Sequence, residues 1–395
     1  MKKIKLLRII ATLDPASGGP VAGILHVTPF LSMLNIETTI VTLDDPDSMF
    51  LKKFNNELVP LGKRKSPWQY NNKLGSWLKV NLANFDVSIV HGIWLYHTYS
   101  AVKAFVHLNK TNQKVRHKMF LFPHGMLDPY FQTEKNRKSK ALRNWMYWQI
   151  IEKRNINSVS GILFTSKMEM ELAKKTFSGY NPKKEIMAGY GVNIPTIVSK
   201  IDLNPENYIL FLGRIHIKKG IDWILNVYLN ILENNLGKPL KLIIAGPGID
   251  SEHGLYLQSI IQNNDSLKKL VDLRPLQNEE AKWALIKNAR AQILWSHQEN
   301  FGLSIAESLG VGVPVLLSNQ VNISQLVIEE NAGYVSPINL PKMTESLLTF
   351  LQLSEDKYLR MKENACQVYQ KNFMPMNYAE RLRAIFEEEL GNIVD

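Results

Sequence analysis

The chain has 395 residues, too many for one hydrophobic core and suited to two domains of ordinary size, and its 45% of apolar residues is enough to fill both. The single cysteine, Cys366, excludes an internal disulfide and a cysteine-rich metal site and fits a reducing compartment. The net charge of +11 is unevenly spread: residues 1–200 carry 29 Lys and Arg against 13 Asp and Glu, and residues 201–395 carry 18 against 23, so the positive surface is expected on one domain only.

Strand-like runs alternate with helical ones along the chain, the pattern of parallel α/β sheets. At the start, Met1-Lys2-Lys3-Ile4-Lys5 breaks its apolar run with charges, which predicts no secretion signal. Nowhere is there the ~18-residue apolar stretch that a membrane-spanning helix needs. The first strand, 4–11, leads into Asp14-Pro15-Ala16-Ser17-Gly18-Gly19-Pro20. Adjacent glycines there let backbone N–H groups approach a ligand closely, or serve a tight strand-to-helix turn for steric reasons alone. A helix over 20–33, strands over 37–42 and 87–90, a helix over 98–108 and strands over 118–122 and 161–164 follow. His91-Gly92 and Pro123-His124-Gly125 each come directly after a strand, so both histidines are expected at the carboxyl ends of strands, where α/β sheets bind ligands.

The segment from Lys135 to Arg154 crowds its cations at the front, with Arg137, Lys138, Lys140 and Arg143 ahead of Trp145, Trp148 and Ile151 at helical spacing. Two readings stand. One is an interfacial helix that brings the domain to anionic lipid, with tryptophans at headgroup level. The other is a packed helix with Trp145, Trp148 and Ile151 facing the core and the cations in water. Both hold together if Leu142 and Trp145 are buried while Lys138, Lys140 and Arg143 line a surface. Lys63-Arg64-Lys65-Ser66-Pro67-Trp68 is a second basic and aromatic segment, read as a loop. Neither comes with a helix-turn-helix, a zinc-ligand set or an aromatic sheet motif, so nucleic acid is not expected as a partner.

The polar stretch 193–202 reads as a linker, after which a second series of strands begins at 208–213, 240–245, 271–273, 292–295, 313–317 and 333–335. The first of these ends on Gly213-Arg214 and is followed by Ile215-His216-Ile217-Lys218-Lys219-Gly220 and an amphipathic helix. A guanidinium fork and an ammonium on one turn suit a diphosphate at the carboxyl end of parallel strands; a solvated loop is the plainer alternative. Downstream, Glu299-Asn300-Phe301-Gly302-Leu303-Ser304-Ile305-Ala306-Glu307 places two carboxylates around a glycine turn that opens a helix. The open helix start attracts an anion, and the carboxylates accept hydrogen bonds from sugar or ribose hydroxyls. No nucleophile elbow, Walker loop or histidine metal cluster is present, and no convincing Asp-x-Asp metal motif.

Together, the strand-Gly-Arg-x4-Lys-Gly segment at Gly213 to Gly220, the Glu-x7-Glu segment at Glu299 to Glu307, the Gly18-Gly19 loop and Pro123-His124-Gly125 resemble the retaining glycosyltransferases of family 4. The resemblance covers nearly the whole chain in order and spacing. It implies the GT-B fold, two facing Rossmann-like α/β domains with parallel sheets and an interdomain cleft. The acceptor-side domain would be 1–195, the nucleotide-sugar domain 196–375, and 376–395 a final helix returning to the first domain. It also implies that Arg214 and Lys219 hold the donor diphosphate, that Glu299 contacts the sugar and Glu307 the ribose, that amides from Asn300 and Phe301 through Gly302, Leu303 and Ser304 touch sugar and phosphate, that Gly18-Gly19 closes over them, and that His124 lies near the sugar's reactive face. In the stretch Ala188-Gly189-Tyr190-Gly191, Gly191 is expected to keep the turn.

The expected activity is metal-independent transfer of a hexose, with retention, from a UDP- or GDP-sugar to a glycan or lipid-linked acceptor in polysaccharide or glycoconjugate synthesis. No cofactor is expected, and Arg214 with Lys219 would neutralise the leaving diphosphate. The location is expected to be cytoplasmic, with peripheral association at the inner face of the membrane as an added expectation. A sugar-nucleotide epimerase or hydrolase of the same fold and a non-catalytic GT-B binding protein are the alternatives.

Overall fold

Strand after strand in this chain is buried on both faces, which is why each reads as a near-continuous apolar run rather than an alternating one. The computed structural model describes residues 2–54, 56–112, 116–134, 137–200 and 207–391, and divides them into two units, residues 1–192 with 374–395, and residues 193–373. In the first unit a parallel sheet runs β3-β2-β1-β4-β5-β6-β7, where β1 is Ile4–Ile10, β2 Ile36–Thr42, β3 Glu57–Pro60, β4 Val87–His91, β5 Lys118–Phe122, β6 Gly161–Phe164 and β7 Glu185–Met187. In the second, the order is β10-β9-β8-β11-β12-β13, with β8 Tyr208–Leu212, β9 Lys241–Ala245, β10 Val271–Arg274, β11 Ala291–Leu294, β12 Val315–Ser318 and β13 Gly333–Ser336, again all parallel. Each unit is thus a doubly wound, Rossmann-like α/β domain. The strand order reverses between β1 and β4 and between β8 and β11, and the crevice beyond the carboxyl ends at such a point is where this architecture takes ligands.

Edge strands β3 and β7 have no counterpart among the sequence expectations. They are four and three residues long and only partly buried, and β3 ends in a proline, so neither has the apolar run that marks the inner strands. The stretch 193–202 is not a solvated linker along its described part, because Ile194, Ile197 and Val198 pack against Tyr208, Leu210 and Trp283 in the core of the second unit. Ile201 and Asp202 lie outside the described residues. The last helix, Pro375–Leu390, belongs to the first unit and packs on the helix Gly19–Met33. There the Arg383 guanidinium donates to the carbonyls of Leu34 and Lys2, which closes the exposed end of Gly19–Met33. The left-handed residue of the 188–191 stretch is Gly189, at φ +77, and not Gly191; the latter is required for space, since a Cβ there would come within 3.1 Å of Pro375 and 3.0 Å of Tyr378.

The basic segment departs from expectation in a way that bears on function. A helix over Lys138–Tyr147 continues through a π turn at Trp148–Glu152 into Lys153–Ser158. Its buried side is set by Asn144, Trp148, Glu152 and Asn155, while Leu142, Trp145, Met146 and Ile150 are exposed. Of the two readings, the packed helix holds for Trp148 but not for Trp145, which is 52% exposed, and Leu142, whose burial with Trp145 would have joined the two readings, is 59% exposed. Trp148 holds the inward position through a bond from Nε1 to the Ser178 carbonyl and stacking on Phe177; Asn144, Glu152 and Asn155 share its side at helical spacing, and Met146 and Ile150, two positions to either side, face away.

Glu152 is fully buried, accepts a 3.3 Å bond from the Trp94 amide, and its carboxyl is pushed up to about 7 by burial. Because the folded-state value lies above the unfolded one of 4.5, the folded state binds the proton more tightly, and stability falls as pH rises from about 4.5 to about 7. Glu152→Gln is therefore expected to stabilise the first unit by about 3 kcal/mol at pH 8, with most of that gain gone at pH 5. Urea unfolding of both proteins at the two pH values checks it.

Candidate donor site

The second unit assembles its candidate site where β8 and β11 part. After β8 the chain reaches Gly213 and the exposed Arg214, then forms a short turn over Ile217–Lys219 that the His216 side chain caps by accepting from the Lys218 amide at 3.1 Å. Gly220 ends the turn at φ +64 and begins the helix Ile221–Glu233. It passes so close to β11 that a Cβ would lie 2.0 Å from the Trp295 carbonyl oxygen, so glycine is needed both for the conformation and for the approach. Two more bonds fasten the turn to the end of β11: Ser296 Oγ and the His297 amide both donate to the Lys218 carbonyl, each at 2.8 Å.

This fastening carries the Lys219 ammonium onto the Glu299 carboxylate, across 80 positions of sequence. Burial by itself would raise the Glu299 carboxyl, yet the Lys219 charge and hydrogen bond outweigh it and hold the group below the usual carboxylate range. The Glu299 loop is in turn fixed by its amide on the Gln320 carbonyl at 3.0 Å, by the Asn322 amide on its own carbonyl at 2.9 Å, and by Asn322 Nδ2 on Asn300 Oδ1 at 3.2 Å. Phe301 points inward and meets Phe373 edge-on, leaving its backbone to shape the loop.

Gly302, at φ +75, opens the helix Leu303–Gly310, and the amide of Gly302 bonds to the Glu299 carboxylate. Ser304 ties it to β8 by donating to the Leu212 carbonyl at 3.0 Å, while the fully buried Gln292 of β11 donates to Ser304 Oγ at 2.9 Å and accepts from Ser308. The helix start therefore stands beside Gly213 and Arg214, and the turn bearing Lys219 reaches the same loop through Glu299. The dipole at a helix start, with an ammonium on the same loop, favours an anion. Glu307, one turn further along, is buried and paired with Lys282 of the helix Glu279–Asn288; burial raises its carboxyl and Lys282 offsets part of the rise. Lys282 and Gln292 had no signal in the sequence, since each acquires its role only from a partner on another element.

The first unit holds its own candidates. Thr12 and Thr42 hydroxyls and the Leu13 amide all donate to the Asp44 carboxylate, which sets the loop ahead of Gly18 and Gly19. Gly18 lies at φ +83, and nothing approaches within 4 Å of where a Cβ would stand on either glycine, so the space over the loop is open rather than filled by the protein. Tyr190 bonds the Gly19 carbonyl from below. His124 sits at φ +53 followed by Gly125 at φ +80, a left-handed pair held by the Gly125 amide on the buried Glu169 carboxylate, which also accepts from the Thr165 amide and hydroxyl. His124 is half-buried just after β5, and His91 is the last residue of β4, at the carboxyl end as expected, but buried. Lys138, Lys140 and Arg143 are exposed on their helix, and Arg137 lies over the Phe131 ring.

Both units are Rossmann-like α/β domains, and the second brings the Lys219–Glu299 pair and the start of Leu303–Gly310 together where its strand order reverses. Residues 194–368 match the family model described as Glycosyl transferases group 1, so the second unit carries a domain of that kind. An uncharacterized glycosyltransferase of Methanocaldococcus jannaschii is 30% identical over 135 residues, which is 34% of this chain and 33% of that protein; the match spans about a third of the relative's length. Over whole chains, the sucrose-phosphate synthase of Thermosynechococcus elongatus superposes with a TM-score of 0.69 at 16% identity, covering 97% of this chain and 98% of the other. Anabaena HepE, solved with UDP and glucose, superposes at 0.71 and 14% identity, covering 98% and 100%. These likenesses give the fold, which is that of the GT-B glycosyltransferases.

Proposed function

We propose that the protein is a retaining glycosyltransferase of family 4 that moves a hexose from a nucleoside diphosphate sugar to an acceptor hydroxyl. The observation that carries this reading is the meeting of Lys219 and Glu299 beside the start of Leu303–Gly310, within the group 1 domain. In it Arg214 and Lys219 take the diphosphate with the amides that follow Phe301, Glu299 orients the sugar, and Glu307 accepts from the ribose. The bond from the anomeric carbon to the phosphate oxygen breaks as the acceptor oxygen bonds to that carbon from the same face, and the acceptor's proton passes to the departing phosphate. Charge developing on that phosphate is met by Arg214, Lys219 and the helix dipole, so the reaction needs no divalent ion. HepE has been solved with UDP-glucose, which supports a UDP-sugar as donor here. Incubating the pure protein with labelled UDP- and GDP-sugars, with and without chelator and with glycan or lipid-linked acceptors, tests the reading. Label released without any acceptor would point instead to a hydrolase or epimerase, and no turnover with any donor would leave a binding protein.

The acceptor side is proposed to be a glycan or lipid-linked glycan at an anionic membrane surface. The exposed Leu142, Trp145, Met146 and Ile150 alongside Lys138, Lys140 and Arg143 support it, since apolar side chains at that depth and cations around them suit an interface. No helix among the described residues is long and apolar enough to cross a membrane. Replacing Lys138, Lys140 and Arg143 by Ala should weaken sedimentation with phosphatidylserine vesicles by roughly 10²-fold at low salt, at ~1 kcal/mol per cation. Unchanged sedimentation would remove the membrane from the proposal and leave the transferase.

A further inference from the structure

One residue in the middle of β1 does not belong to an apolar strand. Arg8 is 1% exposed, and among the described residues no carboxylate pairs with it. Its Nη1 lies 3.0 Å from Nε2 of His91, the last residue of the neighbouring β4, and Nδ1 of His91 lies 3.0 Å from Nε2 of His124. The rings of His91 and His124 stack at 5.3 Å, and His124 also stacks on Phe122 at 4.2 Å. The His97 ring, at 2.9 Å from the His91 carbonyl, fixes the backbone of the middle member.

The direction of this chain of bonds follows from its first member. A guanidinium only donates and keeps its proton in a protein. Nε2 of His91 must then accept, and a neutral ring that accepts at Nε2 carries its proton on Nδ1. That proton points to Nε2 of His124, which must accept in turn, leaving His124 with its proton on Nδ1. Both rings are kept neutral, His91 by burial and then by the Arg8 charge, His124 by the same two causes, its value brought down to about 3. No described residue accepts from Nδ1 of His124.

We propose that Arg8 and His91 are positioning residues that lock His124 as a hydrogen-bond donor through Nδ1, so that it grips an oxygen of the sugar substrate and never acts as a proton acceptor. The role toward sugar rests on the transferase reading; the tautomer does not. A buried arginine with no carboxylate, held by His91 and the Tyr378 hydroxyl, is costly to a strand, and the polarised ring pair gives it a use. The left-handed backbone at His124, anchored through Gly125 to Glu169, fixes the direction of the donor in the same way as the ring pair fixes its proton.

Long-range proton–nitrogen correlation of protein labelled at histidine reads the tautomer in the absence of substrate. At pH 7.5, His91 and His124 should both show a protonated Nδ1 and a bare Nε2. A protonated Nε2 at either, or an imidazolium, overturns the relay and leaves the transferase reading intact. Arg8→Lys retains a donor and should retain both tautomers; Arg8→Met should release them to the Nε2–H form and lower kcat on the order of 10²-fold. Unchanged tautomers in Arg8→Met would dismiss Arg8 as the lock, and if that variant does not fold the wild-type spectrum still decides. For the donor role, His124→Asn puts an N–H in the place of Nδ1 and tolerates positive φ, while His124→Asp has the same shape and only accepts. The Asn variant should keep about 10²-fold more turnover than the Asp variant; equal turnover, or more in Asp, would sink it.

Discussion

Lys219→Ala should lower sugar transfer on the order of 10²- to 10³-fold, the largest effect of any single side chain in the candidate site. Two losses combine. The leaving diphosphate loses a cation, and the part-buried Glu299 loses its ion-pair partner and keeps only the Gly302 amide and the more distant Lys218 charge, a change worth ~2–5 kcal/mol. The second loss has a pH signature. In the parent, the folded-state carboxyl of Glu299 lies below its unfolded value of 4.5, so the pair stabilises fully above that pH and its contribution disappears as pH falls through the lower folded value. In Lys219→Ala burial is opposed only by the Lys218 charge and the Gly302 amide, so the carboxyl moves upward and the stability that ionised Glu299 contributes above pH 4.5 shrinks. The double variant Lys219→Met with Glu299→Gln separates the two losses. It should regain most of the stability because no buried charge remains, yet regain no turnover, because neither the phosphate nor the sugar contact is restored. Unfolding curves at pH 5 and pH 8 and kcat/KM for the three proteins give the comparison. Turnover of Lys219→Ala within about threefold of the parent would remove Lys219 from the donor site.

Gly220→Ala should be the most damaging small substitution in the second unit, costing about 4 kcal/mol or more. Left-handed backbone alone costs alanine roughly 1–2 kcal/mol. The rest comes from a collision with main chain rather than with a side chain that could turn aside: 2.0 Å from the oxygen and 3.0 Å from the carbon of the Trp295 carbonyl. Relief requires β11 and the lysine turn to separate, which breaks the bonds from Ser296 and His297 to Lys218 and draws Lys219 from Glu299. Faster amide exchange in β8 and β11, with loss of donor binding by calorimetry, is the expected record. Gly19→Ala is the informative contrast. With no atom within 4 Å and no positive φ, it should leave stability within about 0.5 kcal/mol while lowering turnover, since the new methyl enters space that the proposal gives to substrate. If Gly220→Ala unfolds at the parental urea concentration, the close approach to Trp295 does not constrain the fold.

What could be read from the residues alone was whatever depends on near neighbours. The inner strands announced themselves as apolar runs, the lysine turn as Gly213-Arg214 with Lys219-Gly220, and the helix start as Gly302 after Glu299, because backbone conformation and burial on both faces of a strand leave a mark within a few positions. The short edge strands β3 and β7 left no such mark, being half-exposed and brief. Partnership was decided elsewhere. Parallel strands need long crossovers, so residues that touch at their carboxyl ends come from distant stretches: Lys219 with Glu299, Arg8 with His91 and on to His124. Periodicity could not tell which side of the helix after Lys138 would be buried, because its apolar residues lie outward and Asn144 and Glu152 inward, and only the position taken by Trp148 against Phe177 settles it. The chain's order thus determined the two sheets and where each could take a ligand. That Lys219 pairs with Glu299 and Arg8 bonds His91 follows from strand order, since that alone brings residues 80 or more apart within reach of a hydrogen bond.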